Sequence, residues 1–200
     1  MTVISIKTGT DGELKRIELS DGSLFSFRNC YLAGFSGGPA DRAAPEGWVD
    51  RLAGGDEISA GEEEAFRFAA ICLRAERAAL RLTARAEQTS RGLFRKLARR
   101  GFDDPCISTV LRRLGELGIL NDRRFAGLWL RSRLARRAES PRKLLAGLRS
   151  RGIDREDAEG ALKSLLDFQY ESALLRGYIE QNHRAPLPDN SAADRAGAPP

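Results

Sequence analysis

The segment Lys96–Leu114, KLARRGFDDPCISTVLRRL, is written again 51 residues later as Gly147–Leu165, GLRSRGIDREDAEGALKSL. Leu97, Arg100, Gly101, Asp103, Leu111 and Leu114 return as Leu148, Arg151, Gly152, Asp154, Leu162 and Leu165. In each copy a glycine, free to take positive φ, ends one helix, and an aspartate two residues on is placed to cap the next. A unit this small cannot bury its own apolar face, so two copies constrain the chain to stack helical triplets on one another. The competing explanation is two coincidentally similar hairpins inside one bundle.

The rest of the chain is read around that repeat. VISIK, LKRIEL and SLFSF alternate with period two and are broken by TDGE and SDGS, which predicts a hairpin or three-stranded meander leaning on a helix. Residues 34–61, rich in Gly, Pro and Asp, predict a loop with a short helix anchored by Trp48 and Leu52. From Glu62 the spacing turns helical, with acids first and arginines later, as the helix dipole favours. Ser90 is predicted to cap the next helix, with Phe94, Leu97 and Ala98 as its apolar residues. Asp103 or Asp104 caps a third, which carries Pro105 in its first turn and Ile107, Val110, Leu111 and Leu114 at i, i+3, i+4, i+7.

The cycle then restarts. Asp122 caps a helix with Phe125, Leu128, Trp129 and Leu134 on one face. Pro141 opens another, with Leu144, Leu145 and Leu148, and Asp154 caps the last, with Ala158, Ala161, Leu162 and Leu165. The predicted fold is mainly α: tandem three-helix repeats forming an elongated curved array, preceded by a small N-terminal β-hairpin or meander. The predicted domains are 1–61 (strands and loop), 62–117 and 118–168 (two triplets), 169–183 (a third triplet stopping after its first helix) and 184–200 (a tail unable to pack).

Chemistry narrows the function classes. At 42% hydrophobic and 30% charged, without an apolar run of spanning length or a signal-like start, the sequence predicts a cytoplasmic monomer that makes no membrane contact. Cys30, Cys72 and Cys106 are odd in number and widely spaced, predicting reduced thiols rather than a disulfide frame or zinc site. His183, the single histidine, lies in the polar tail and argues against a histidine-dependent triad or metal centre. AGFSGG lacks the lysine and helix of a phosphate loop, and the pairs Asp103–Asp104 and Glu156–Asp157 read as helix caps. No catalytic residue, metal ligand or cofactor is expected.

Charge is the informative remainder. Residues 1–72 hold 7 Lys/Arg against 12 Asp/Glu, a net −5, whereas residues 73–168 hold 23 against 12, a net +11. Such segregation attracts polyanions or an acidic protein face, and arginine suits forked contacts to phosphate or carboxylate. The pool from which contacts are expected is Arg99, Arg100, Arg112, Arg113, Arg123, Arg124, Arg131, Arg136, Arg137, Arg142 and Lys143. Arg133 stands outside this pool as a candidate for packing, on the helix that carries Trp129 and inside the shared segment described next.

GILNDRRFAGLWLRSRLARR resembles the signature segment of the RecX family through Gly118, Leu120, Asp122, Arg124, Phe125, Ala126, Trp129 and Arg133, with Asn121 where an aspartate is usual. TSRGLFRKLARRGF is similar to a second family segment through Ser90, Lys96, Leu97, Arg100, Gly101 and Phe102, with Leu93 in place of a glutamate and Phe94 in place of a leucine. The resemblance covers roughly residues 3–185. It implies a non-enzymatic regulator, built from three-helix repeats, that binds the RecA–DNA filament and inhibits recombinase and co-protease activity in DNA repair and the SOS response. Weak, sequence-independent contacts to single- and double-stranded DNA are expected with it. The alternative is a helical, transcription-factor-like DNA-binding protein acting without the recombinase. A scaffold for an acidic protein is a further rival.

Overall fold

A computed structural model describes residues 1–10, 12–32, 48–165 and 173–179. His183, the 184–200 tail, residues 34–47 and the Trp48 side chain lie outside the described residues. The protein is mainly helical with one small N-terminal sheet, and it divides after Asp122 into two compact units.

In the first unit, Val3–Thr8 (β1), Leu14–Leu19 (β2) and Leu24–Arg28 (β3) make an antiparallel sheet in chain order. Ile17 of β2 pairs with Ile6 on one side and Phe25 on the other. Period two sends Lys15, Ile17 and Leu19 inward together, and Phe27, opposite Lys15, joins them. That face packs on α1 (Ala60–Thr83), where the Phe27 ring stacks on Phe66 at 5.2 Å. Burying Lys15 is tolerable because its Nζ pairs with Asp50 at 2.5 Å and donates to Thr8 Oγ1 at 3.1 Å. Asp50 lies in the short 3-10 turn Trp48–Arg51.

Helix α1 begins with a capping box: the Glu62 carboxylate accepts from Ser59 N–H at 2.8 Å, and Ser59 Oγ accepts from Glu62 N–H. Against it pack α2 (Ser90–Ala98) and α3 (Asp104–Glu116), with Leu93, Leu97, Ile107, Val110 and Leu114 wholly buried. Each such side chain contributes about 1.5–3 kcal/mol through apolar burial. Cys72 of α1 and Cys106 of α3 share a thiol hydrogen bond inside this core, and that bond and burial push Cys72 far above the usual thiol range.

The cap of α2 differs by one residue from the sequence expectation. Thr89, not Ser90, is the N-cap, and its hydroxyl accepts from Gly92 N–H at 2.9 Å. The shift places Gly92, rather than Leu93, at the third helical position and leaves Leu93 free to fill the core in place of Phe94. The Ser90 N–H is satisfied from a distance, by Asp122 Oδ1 at 2.8 Å.

The second unit contains α4 (Asp122–Leu134, of which Asp122 belongs to the first unit), α5 (Pro141–Ser150) and α6 (Arg155–Lys163). Its core is Ala126, Leu130, Leu144, Leu148, Ile153, Ala158, Ala161 and Leu162, with Phe125, Trp129, Leu134, Leu145 and Leu165 around it. Leu128, expected on the apolar face, is exposed instead; Ala126 and Leu130, four residues apart, hold the inward line. Residues 173–179 are again helical.

The two triplets match bond for bond where their sequences repeat. Phe102 and Gly101 N–H donate to the Leu97 and Ala98 carbonyls, and Ile153 and Gly152 N–H donate to those of Leu148 and Arg149. This is the Schellman pattern. It requires the left-handed backbone that Gly101 (φ 81°) and Gly152 (φ 85°) adopt.

Candidate anionic-partner interface

Helix geometry turns arginine spacing into surface. Arg99 and Arg100, at the end of α2, and Arg112, on α3, are exposed. So are Arg123, Arg124 and Arg131 of α4, Arg136 and Arg137 after it, and Arg142 and Lys143 in the first turn of α5. Arg123 lies along α6, its guanidinium against the space beside Gly160.

Arg113 is set apart from this pool. Its guanidinium pairs with Glu13 at 2.5 Å and lies 3.8 Å from Glu76, and its Cζ sits 5.9 Å from the centre of the Tyr31 ring. Arg28 joins the same acids, donating to Glu76 at 3.0 Å and to Glu13 at 3.1 Å. Two acids, from the β1–β2 connection and from α1, thus neutralise two cations inside the first unit. Burial and the charge of Glu76 hold the Tyr31 hydroxyl protonated across the physiological range.

Between α4 and α5 of the second unit two cations share one acid. Between Asp122 and Asp154 the chain has ten Lys/Arg and, against them, only Glu139. Its carboxylate, 3% exposed, accepts from Arg133 Nε at 2.9 Å and Arg137 Nε at 2.5 Å. Burial pushes this carboxyl up, but the Arg137 hydrogen bond and the charges of Arg133, Arg137 and Lys143 outweigh burial and hold it below the usual carboxylate range. The sequence signal for this role is a lone acid just before the Ser-Pro helix start. Arg133 does pack: its Cζ lies 5.9 Å from the centre of Trp129, and that of Arg151 lies at 4.6 Å. Arg151 is fixed further by donating to the Gly147 carbonyl at 2.8 Å. Gly147 is needed there, since a Cβ would come within 2.6 Å of the Trp129 ring.

Among the described residues, no cluster of His, Cys, Asp and Glu has the geometry of a metal site, and no helix is long and apolar enough to cross a membrane.

The family model described as "RecX, second three-helix domain" matches residues 121–162, the segment that builds α4 to α6. The "Regulatory protein RecX" of Treponema pallidum (strain Nichols) is 40% identical over 117 residues, covering 58% of this chain and 71% of that relative. The chain belongs to the RecX family. The "Regulatory protein RecX" of Thermobifida fusca (strain YX) is 41% identical over 115 residues, 57% of this chain and 58% of its own length. A solved structure, "Crystal structure of regulatory protein RecX", superposes with a TM-score of 0.64 at 18% identity, covering 93% of this chain and 86% of that one, a likeness of fold. The RecX model's description as a second three-helix domain agrees with α4, α5 and α6 forming one triplet, and the matching relatives are named regulatory proteins.

Proposed function

We propose that this RecX-family chain binds the RecA–DNA nucleoprotein filament and inhibits recombinase and co-protease activity, thereby restraining DNA repair by recombination and the SOS response. The observation that carries this reading is the surface of residues 123–151: Arg123, Arg131, Arg136, Arg142 and Lys143 are exposed in a stretch whose one acid, Glu139, is itself buried. Arginines on a folded unit act together, because the first contact raises the effective concentration of the rest. The proposed contacts come from the exposed pool Arg99, Arg100, Arg112, Arg123, Arg124, Arg131, Arg136, Arg137, Arg142 and Lys143. The proposal also takes each triplet, 62–117 and 118–168, as one repeat, and the chain as a cytoplasmic monomer with weak, sequence-independent affinity for DNA alone.

The test measures RecA ATPase and strand exchange with the protein added, beside its binding to naked DNA at two salt concentrations. Inhibition at stoichiometric protein, with binding strengthened by recombinase on the DNA, is the expected result. Unchanged recombinase activity beside tight, salt-sensitive binding to naked DNA would instead favour the transcription-factor-like alternative.

A further inference from the structure

Helix α1 carries a row of cations outside the pool named above. Arg67, Arg74, Arg77 and Arg81 are exposed, and at 3.6 residues per turn they fall within an arc of about 80°. Arg85, in the turn that closes the helix, continues the row. Arg74, Arg77, Arg81 and Arg85 make no ion pair or hydrogen bond through their side chains among the described residues, whereas Arg67 is paired with Glu63. The dipole accounts for cations in the last turn only. Arg74 and Arg77 lie too far from the C-terminus for that, and like charges at i+3, i+4 and i+7 repel. The acids on the helix itself do not relieve them: Glu62, Glu63 and Glu64 lie in the opening turn, and Glu76 is buried against Arg28 and Arg113.

The composition of this face selects the occupant. Between residues 67 and 86 the exposed positions are the five arginines, Ala84 and Ala86. A protein interface needs an apolar or aromatic centre, and single-stranded nucleic acid needs exposed rings for its bases; this face has neither. From Arg74 to Arg85 successive positions are about 4.5–6 Å apart along the helix axis, a spacing at which each guanidinium can meet its own phosphate on a charged backbone. We infer that the α1 row is a binding site for the phosphate backbone of duplex DNA. It reads no sequence, because no side chain there offers base-edge recognition beyond the arginines themselves, which the backbone occupies. The site rests on the affinity for DNA alone proposed above and gives it a location; because it calls for no recombinase, its failure leaves the filament reading standing.

Fluorescence anisotropy with a short duplex, without recombinase, tests it. The full chain carrying Arg74→Ala, Arg77→Ala, Arg81→Ala and Arg85→Ala should bind more weakly, with the slope of log K against log salt smaller by about 3–4. Alanine at exposed helical positions preserves folding, which circular dichroism will verify. A second variant with lysine at the same four positions should retain most of the slope. Unchanged affinity and slope in the alanine variant would overturn the inference, as would an equal loss in the lysine variant. Loss of binding to DNA-free recombinase, with duplex binding intact, would assign the row to an acidic protein face and overturn it as well.

Discussion

The first unit sets α1 against a sheet and packs α2 and α3 on α1, so that Phe27, Ile17 and Leu19 of the sheet, Phe66 of α1, and Leu93, Leu97 and Leu114 share one core. The second unit closes α4, α5 and α6 on a smaller set that includes Ala126, Ala158 and Ala161, and it has no strand behind it among the described residues. The turn between the second and third helices is nevertheless the same in both, down to the donors and acceptors. The triplet therefore does not depend on the sheet for its geometry. What the sheet adds is apolar depth and acid: Glu13 lies ahead of β2 and neutralises Arg113 from 100 residues away. The second unit has no such supplier. It covers the flank of Trp129 with Arg133 and Arg151 and satisfies Arg133 and Arg137 with Glu139.

The comparison can be broken most forcefully in the cores. Leu97→Ala and Leu148→Ala each remove a wholly buried side chain from the equivalent position, at a cost of roughly 2–5 kcal/mol. Hydrogen exchange should show Leu148→Ala losing protection across α4–α6 while β1–β3 keep theirs. Simultaneous loss in the sheet would mean that the thinner unit does not open by itself. Gly147→Ala comes next: its Cβ collides with the Trp129 ring, and thermal or urea melting should register a loss of roughly 1–3 kcal/mol, with a shifted Trp129 emission in a Trp48→Phe background.

A smaller effect separates the two kinds of arginine. Arg113→Ala, which strips a partner from Glu13, should cost about 1 kcal/mol in urea unfolding, whereas Arg142→Ala, exposed, should stay within about 0.5 kcal/mol. Equal costs would erase the distinction between neutralised and presented cations. The smallest effect is pH-dependent. Because the folded Glu139 carboxyl titrates below its unfolded value, the unfolded chain binds more protons between the two, and stability rises with pH across that window. The contribution is complete above the usual carboxylate range and disappears as pH falls through the depressed folded value. Glu139→Gln should flatten that part of the stability profile measured by urea titration.

Local rules made most of the fold legible. Strand alternation, Asp-Gly turns, the Gly101 and Gly152 stops and the i, i+3, i+4 spacing of α3 all act over a few residues, and all appear where the sequence places them. Thr89 and Ser90 both offer a capping hydroxyl, and the burial of Leu93, a tertiary fact, chooses Thr89. Leu128 shows the same limit: it stands three residues after Phe125 and next to Trp129, but lies about 160° around the helix from both Ala126 and Leu130 and so faces outward. The candidate surface was legible as a charge total but not as a selection. That Arg113 is spent internally depends on Glu13, whose proximity no local pattern encodes. The α1 arginines suit the helix dipole, and only the lack of side-chain partners for Arg74, Arg77, Arg81 and Arg85 among the described residues makes them more than that.

Burying Glu139 has a consequence for encounter. A molecule diffusing toward residues 123–151 meets no exposed carboxylate from that stretch, because its single acid faces inward. Capture should therefore speed up as the medium is diluted toward longer Debye lengths, while the dissociation step, governed by contacts already formed, responds less.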